Sequence, residues 1–178
     1  MKKLFLLFAF FSVVTAAQFA KAQATFDKGD KAINIGVGLF AIGANASVEY
    51  GIQKNLGVGF YVGYERVSTG LIGAAVGVNY GYNKLNVGLR GAYHLNEALK
   101  MADDKFDLYV AGGVGVRLDN GYADSYNILT NDYNYRTRVL PQILARVGAR
   151  YYFSEKTAGW AELGTGGSWF QGGIAFKF

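Results

Sequence analysis

Large apolar side chains recur at every second position through eight separate stretches of this chain, a strand period with no competing helical one. Ala32 to Phe40 sets Ile33, Ile35, Val37 and Leu39 against Asn34, Gly36 and Gly38, and Ala46 to Gln53 sets Val48, Tyr50 and Ile52 against Ser47, Glu49 and Gly51. Leu56 to Glu65 opposes Leu56, Val58, Phe60, Val62 and Tyr64 to Gly57, Gly59, Tyr61, Gly63 and Glu65. The same pattern returns in Leu85 to Leu95, Phe106 to Leu118, Ile143 to Phe153, more weakly in Ala158 to Thr165, and in the closing Phe170 to Phe178.

The composition of the second face decides which way the strands point. In a soluble barrel or sandwich the apolar set faces inward, and glycine on the solvated face would weaken the strand. Here that face mixes glycine with long charged residues. A narrow lumen enclosed by eight strands holds such a mixture, because it has room for little more than side chains. The apolar face then meets lipid. The pattern predicts an all-β fold, an eight-stranded antiparallel up-and-down transmembrane β-barrel. Its inward set carries Glu49, Glu65, Asp107 and Glu162 against Arg90, Arg117, Arg146, Arg150 and Lys177. Buried charges require partners, and the forked guanidinium suits carboxylates, so a lumen plugged by salt bridges is expected.

Connections supply an orientation. Gln53 to Asn55, Asn96 to Lys105 and Ser154 to Thr157 alternate along the chain with Ala41 to Asn45, Ser68 to Lys84, Asp119 to Gln142 and Gly166 to Trp169. Barrels of this kind keep short turns on the periplasmic side and longer loops outside. Tyr93, Phe106, Tyr151, Phe153, Phe176 and Phe178 then form a periplasmic aromatic girdle, with Tyr64, Tyr80 and Tyr82 near the outer one.

The front end is consistent with export. Met1-Lys2-Lys3, the apolar run Leu4 to Val14 and the small-x-small Ala20-Lys21-Ala22 read as a signal peptide over residues 1–22, too short to span a bilayer, which leaves 23–178 as one barrel domain. Removing Lys2, Lys3 and Lys21 from 18 basic residues leaves 15 against 13 acids, so the formal charge of +5 falls to +2. The remaining charges are dispersed, which argues against a nucleic-acid partner. With no cysteine, neither disulfides nor thiolate metal sites hold the fold.

Several lines resemble the small eight-stranded outer-membrane β-barrels of Gram-negative bacteria, the OmpA/OmpX type: Gly57 to Tyr64, Gly88 to Leu95, Val147 to Ser154, Trp160 to Gly164 and Gly173 to Phe178. The resemblance covers essentially the whole chain after residue 22. It implies localisation in the cell outer membrane, contact with outer-membrane lipid, a monomer, and handling by the β-barrel assembly machinery, with Phe176 and Phe178 as the assembly signal. It does not imply one activity, since members act as structural components, adhesins, small-solute channels and lipid-modifying enzymes.

Chemistry offers little by comparison. His94 is the sole histidine, and its expected place near the periplasmic end, facing the lumen, is wrong for lipid chemistry at the outer leaflet. A hydrogen-bonded lumen histidine is expected instead, with no catalytic residue, cofactor or metal. The glycine pairs lie inside strands and open no helix, so they are not a dinucleotide fingerprint. Asp119, Asp124 and Asp132 lack the spacing of a calcium loop. Tyr122, Tyr126, Tyr133 and Tyr135, among Asn and Asp, have the chemistry of a recognition surface. The sequence therefore favours a structural or adhesive barrel acting through its outer loops. A small-solute channel is the alternative; an outer-membrane lipid enzyme and a soluble secreted binder follow.

Overall fold

The computed structural model describes residues 25–38, 42–68, 81–101, 105–127 and 132–178. The signal-peptide reading of residues 1–22 and the girdle position Tyr80 lie outside them. Eight strands run in chain order: β1 Lys31–Gly38, β2 Ile42–Gln53, β3 Leu56–Ser68, β4 Gly81–His94, β5 Phe106–Asn127, β6 Asp132–Tyr152, β7 Thr157–Gly164 and β8 Phe170–Lys177. Each pairs antiparallel with the next, and β8 pairs with β1 through Ala32↔Lys177 to Gly38↔Gln171, so the sheet closes. Closure removes both edges that an isolated β1 and β8 would expose.

The two faces divide as the alternation requires. Phe60, Val114, Ile143, Val147 and Leu163 are exposed on the outside, while Glu49, Glu65, Arg90, Asp107, Arg146, Arg150 and Glu162 are buried inside. An exterior of large apolar side chains around a charged interior is the inverse of a soluble protein and is stable only in lipid. Small residues on the inner face make room for the large ones. A Cβ at Gly148 would run into the Tyr109 ring, and one at Gly173 into the backbone carbonyl of Ile35 across the β1–β8 seam.

Two elements differ from expectation. The segment Asp119 to Gln142, expected as a loop, is mostly strand: β5 and β6 stay paired to Asn127↔Asp132, with register shifts between Asp119 and Tyr122 and between Ala123 and Ser125. Alternation reports a difference between two faces. Above the membrane both faces of a hairpin meet water, so the signal disappears although the pairing continues. The sole proline, Pro141, sits opposite Val116 on a length of β6 that has not yet met β7, whose described pairing begins at Arg146↔Gly164. A missing N–H is tolerated on such an edge.

The second difference is the segment before β1. Phe26 is fully buried beneath the barrel. The segment is fastened by Asn55 N–H donating to Phe26 O at 2.8 Å, Gly29 N–H to Gly51 O at 2.8 Å and Gly51 N–H to Asp30 O at 2.8 Å. It lies under the end of the barrel at which β1 begins, with the Phe26 ring stacked on His94.

Candidate functional site

The charged interior is the chemically distinctive part of the molecule. Its lower half is built around Arg150 on β6, which has no exposed surface. Its Nη2 donates to Glu49 Oε2 at 2.6 Å, Nη1 to Asp107 Oδ2 at 3.3 Å and Nε to Asn34 Oδ1 at 3.2 Å. The guanidinium lies 4.7 Å from the centre of the Tyr109 ring and 5.9 Å from that of Phe26. His94 joins the same two acids, with Nδ1 2.7 Å from Asp107 Oδ1 and Nε2 2.9 Å from Glu49 Oε1. When both carboxylates are ionised, both ring nitrogens must donate, and the imidazolium brings this four-residue cluster to neutrality. Phe26 stacks on the His94 ring at 4.5 Å between centroids and 12° between planes.

The upper half is built around Glu162 on β7. Its Oε1 accepts from Arg90 Nη2 at 2.8 Å and from the Tyr109 hydroxyl at 2.9 Å, and its Oε2 accepts from Gln171 Nε2 at 2.8 Å. Arg146 Nε lies 3.7 Å from the same Oε2. Ser47 links the halves, accepting from Asn34 Nδ2 at 2.9 Å and Arg90 Nη1 at 3.3 Å. Higher still, the backbone N–H of Ser168 donates to Glu65 Oε1, and Ser168 O accepts from Arg146 Nη2 at 3.2 Å. The connection between β7 and β8 is thereby drawn into the outer mouth. Between these groups remains a cavity of about 20 Å³ lined by Asn86, Glu65, Arg90 and Arg146, room for one or two waters.

The nine residues expected in the lumen network are not one unit. Glu49, Arg90, Asp107, Arg146, Arg150 and Glu162 are brought together, and Glu65 joins through Ser168. Arg117 faces inward but belongs to a separate outer pair, its Nε 2.9 Å from Asp119 Oδ1, with Arg138 Nη2 3.6 Å from Asp119 Oδ2. Lys177 keeps the inward register yet lies at the periplasmic rim. Its Nζ is 2.9 Å from Asp30 Oδ2 and donates to Thr25 O, so it ties the leading segment to β8 and does not enter the network. Tyr82 likewise shares the inward register of β4, its ring 5.6 Å from Lys84 Nζ, and does not belong to the outer girdle. The side chains of Tyr122, Tyr126, Tyr133 and Tyr135 lie outside the described residues. Phe176 and Phe178 are exposed on the outer face.

Sequence reading missed Asp119, which it placed in a loop and which is fully buried. Extending the β5 alternation by two residues past Arg117 would have found it. It set Asn34, Ser47, Tyr109 and Gln171 on the inward face but left them out of the network, because uncharged polar residues there look like filler until their partners are known. Among the described residues, no group of three His, Asp or Glu side chains is arranged to hold a metal ion. Outside the membrane-spanning strands, Lys54 Nζ pairs with Glu97 Oε2 at 2.9 Å. Hydrogen bonds from Lys54 and Asn55 hold the Glu97 carboxyl below the usual carboxylate range.

No protein-family model matches the chain, and no curated protein sequence does. Solved structures do. The crystal structure of Ail, the attachment invasion locus protein of Yersinia pestis, in complex with the heparin analogue sucrose octasulfate superposes with a TM-score of 0.52 at 14% identity, over 85% of this chain and 99% of that one. A second crystal structure of Ail gives 0.51 at 13% identity, over 85% and 99% of the two chains. The fold is that of a small outer-membrane β-barrel. The N-terminal barrel domain of Pseudomonas aeruginosa OprF also matches, at 18% identity over 88% of this chain and 98% of that chain, with a TM-score of 0.45. In this barrel the interior is occupied by paired charges and the exterior offers apolar side chains to lipid.

Proposed function

We propose that the protein is a closed, monomeric barrel of the outer membrane that presents the β5–β6 hairpin to the outside as an adhesive surface. The observation carrying this reading is the unequal length of the strands. β5 has its last described pairing with β4 at Asn83↔Asn120 but continues with β6 to Asn127↔Asp132. At about 3.3 Å per residue those seven residues lift the hairpin roughly 20 Å above that pairing. A rigid ladder carrying Tyr122, Tyr126, Tyr133 and Tyr135 is a better presenting device than a slack loop, because less ordering remains to be done on binding. The likeness to an attachment protein supports an adhesive role over a purely structural one.

The interior supports a closed lumen. Arg150, Tyr109 and Glu162 are fully or almost fully buried across the lumen, and the mouths are covered by Phe26 below and Ser168 above. His94 is engaged at both ring nitrogens at the periplasmic end, which leaves it no free base for catalysis. During biogenesis the apolar face of β8, ending in Phe176 and Phe178, is what the assembly machinery reads.

Two measurements test this. In planar bilayers the folded protein gives no conductance steps; reproducible steps would favour the channel. Cells displaying the wild type adhere to glycan-coated or cell surfaces, and replacing 122–135 by a short turn abolishes adhesion while leaving the heat-modifiable band of a folded barrel. Unchanged adhesion would overturn the role of the hairpin.

A further inference from the structure

The exterior of the barrel carries an apolar groove of about 680 Å³ that crosses β1 to β4, walled by Ile33, Val48 and Phe60 and ending at Lys31, Tyr50 and Phe178. That volume is typical of a site for a discrete small molecule. We propose that this groove holds one glycerophospholipid of the periplasmic leaflet, an acyl chain in the trough and the phosphate at Lys31.

Depth and charge point to this occupant. The groove begins at the periplasmic ends of the strands, where Lys31 pairs with Tyr50 across β1 and β2, and it reaches Phe60 on β3. Phe60 is four residues along β3 from Leu56, the first residue of that strand, about 13 Å along the strand and, with the tilt of about 40° usual in such barrels, about 10 Å along the membrane normal. The apolar band of such barrels is about 25 Å tall, so the groove lies within one leaflet and stops short of the midplane. Lys31 is exposed on the outward register, with the Tyr50 ring as its cross-strand neighbour. A lysine and a tyrosine at the interface, above a trough confined to one leaflet, match a phosphate followed by a hydrocarbon chain. A lipid of the outer leaflet would meet the barrel at the opposite rim.

This inference rests on the membrane-spanning reading and on the periplasmic placement of the Lys31 end. The barrel is purified in mild detergent from its own membrane, and retained lipid is measured by native mass spectrometry and extraction. Folding is read separately from the heat-induced gel shift. The wild type is expected to retain about one phospholipid per chain. Val58→Trp, which fills the trough, and Lys31→Glu, which repels the phosphate, are each expected to lower retention at least fivefold. Leu163→Trp, outward on β7, leaves it unchanged. Equal retention by all four heat-modifiable proteins would overturn the site, as would lipopolysaccharide as the retained species or a folded wild type that holds no lipid. Loss of the gel shift in the wild type would instead count against the barrel reading itself.

Discussion

Replacing Arg150 with methionine keeps most of the aliphatic volume of the side chain and removes its charge. In the wild type the guanidinium reaches Glu49 at 2.6 Å, Asp107 at 3.3 Å and Asn34 at 3.2 Å. Without it, Glu49 and Asp107, exposed by only 3% and 0%, retain only His94 as a partner, so that even with the imidazole protonated the ionised cluster keeps one uncompensated negative charge. Removing one partner of a buried pair costs about 3–5 kcal/mol, and the two further hydrogen bonds place this site toward the upper end. Adding Glu49→Gln removes the surplus charge while retaining an acceptor for His94, and it should restore at least about 2 kcal/mol, because pair replacement is far milder than pair breaking. The assay is urea unfolding of the barrel in lipid vesicles, followed by tryptophan fluorescence and by the heat-modifiable band. A loss below about 1 kcal/mol for Arg150→Met, or a double variant no better than the single one, would refute the idea that charge pairing organises the interior.

Other perturbations probe different parts of the same structure. Gly173→Ala places a methyl group against the Ile35 carbonyl and is expected to abolish the heat-modifiable band, whereas Gly91→Ala, which meets only Gly57 O at 3.7 Å, is expected to fold normally. Phe26→Ala removes a buried ring stacked on His94 and should cost about 3 kcal/mol or more in urea unfolding; a smaller loss would show that the leading segment detaches readily. Because the folded-state Glu97 carboxyl lies below its unfolded value, its contribution is present above the unfolded value and is lost as pH falls through the folded one. Acidification should therefore loosen the Lys54–Glu97 contact at the periplasmic turns, seen as faster amide exchange at Asn55, and Glu97→Gln should remove that pH dependence. Phe178→Asp should impair membrane assembly and Lys177→Gln should not, as measured by the folded fraction recovered from outer membranes.

The barrel was legible because alternation records a contrast between environments. Along Leu56 to Tyr64 lipid lies on one side and a crowded lumen on the other, so every second residue is large and apolar and the register reads directly. That contrast is lost at Asn120 to Asn127, and the strand there went unseen. The charged members of the interior were legible for the same reason, as long charged residues among glycines on one register. Their grouping was not. Nothing in the spacing of Arg90 and Arg150 says that one meets Glu162 while the other meets Glu49, because that depends on stagger across strands far apart in the chain. Phe26 was invisible because a lone aromatic ahead of the first strand has no period.

The stagger also explains how the interior accommodates so many charges. Each carboxylate is approached from a different strand: Glu49 on β2 is met from β6 by Arg150 and from β4 by His94, and Glu162 on β7 is met from β4 by Arg90 and from β6 by Arg146. The contacts of Arg150 and His94 with Glu49 and of Arg90 with Glu162 join strands that are not neighbours, whereas the wall supplies hydrogen bonds only between neighbouring ones. They therefore fix the cross-section of the barrel, which the ladder alone leaves free to flatten. Tyr109, with Arg150 at 4.7 Å and Arg90 at 5.9 Å from its ring centre, fills the middle of that cross-section. A cross-section braced in this way gives β5 and β6 a fixed base from which to extend beyond their neighbours. Under the proposed adhesive role, Arg150→Met should therefore lower the stability of the barrel and, through a smaller folded fraction at the cell surface, adhesion.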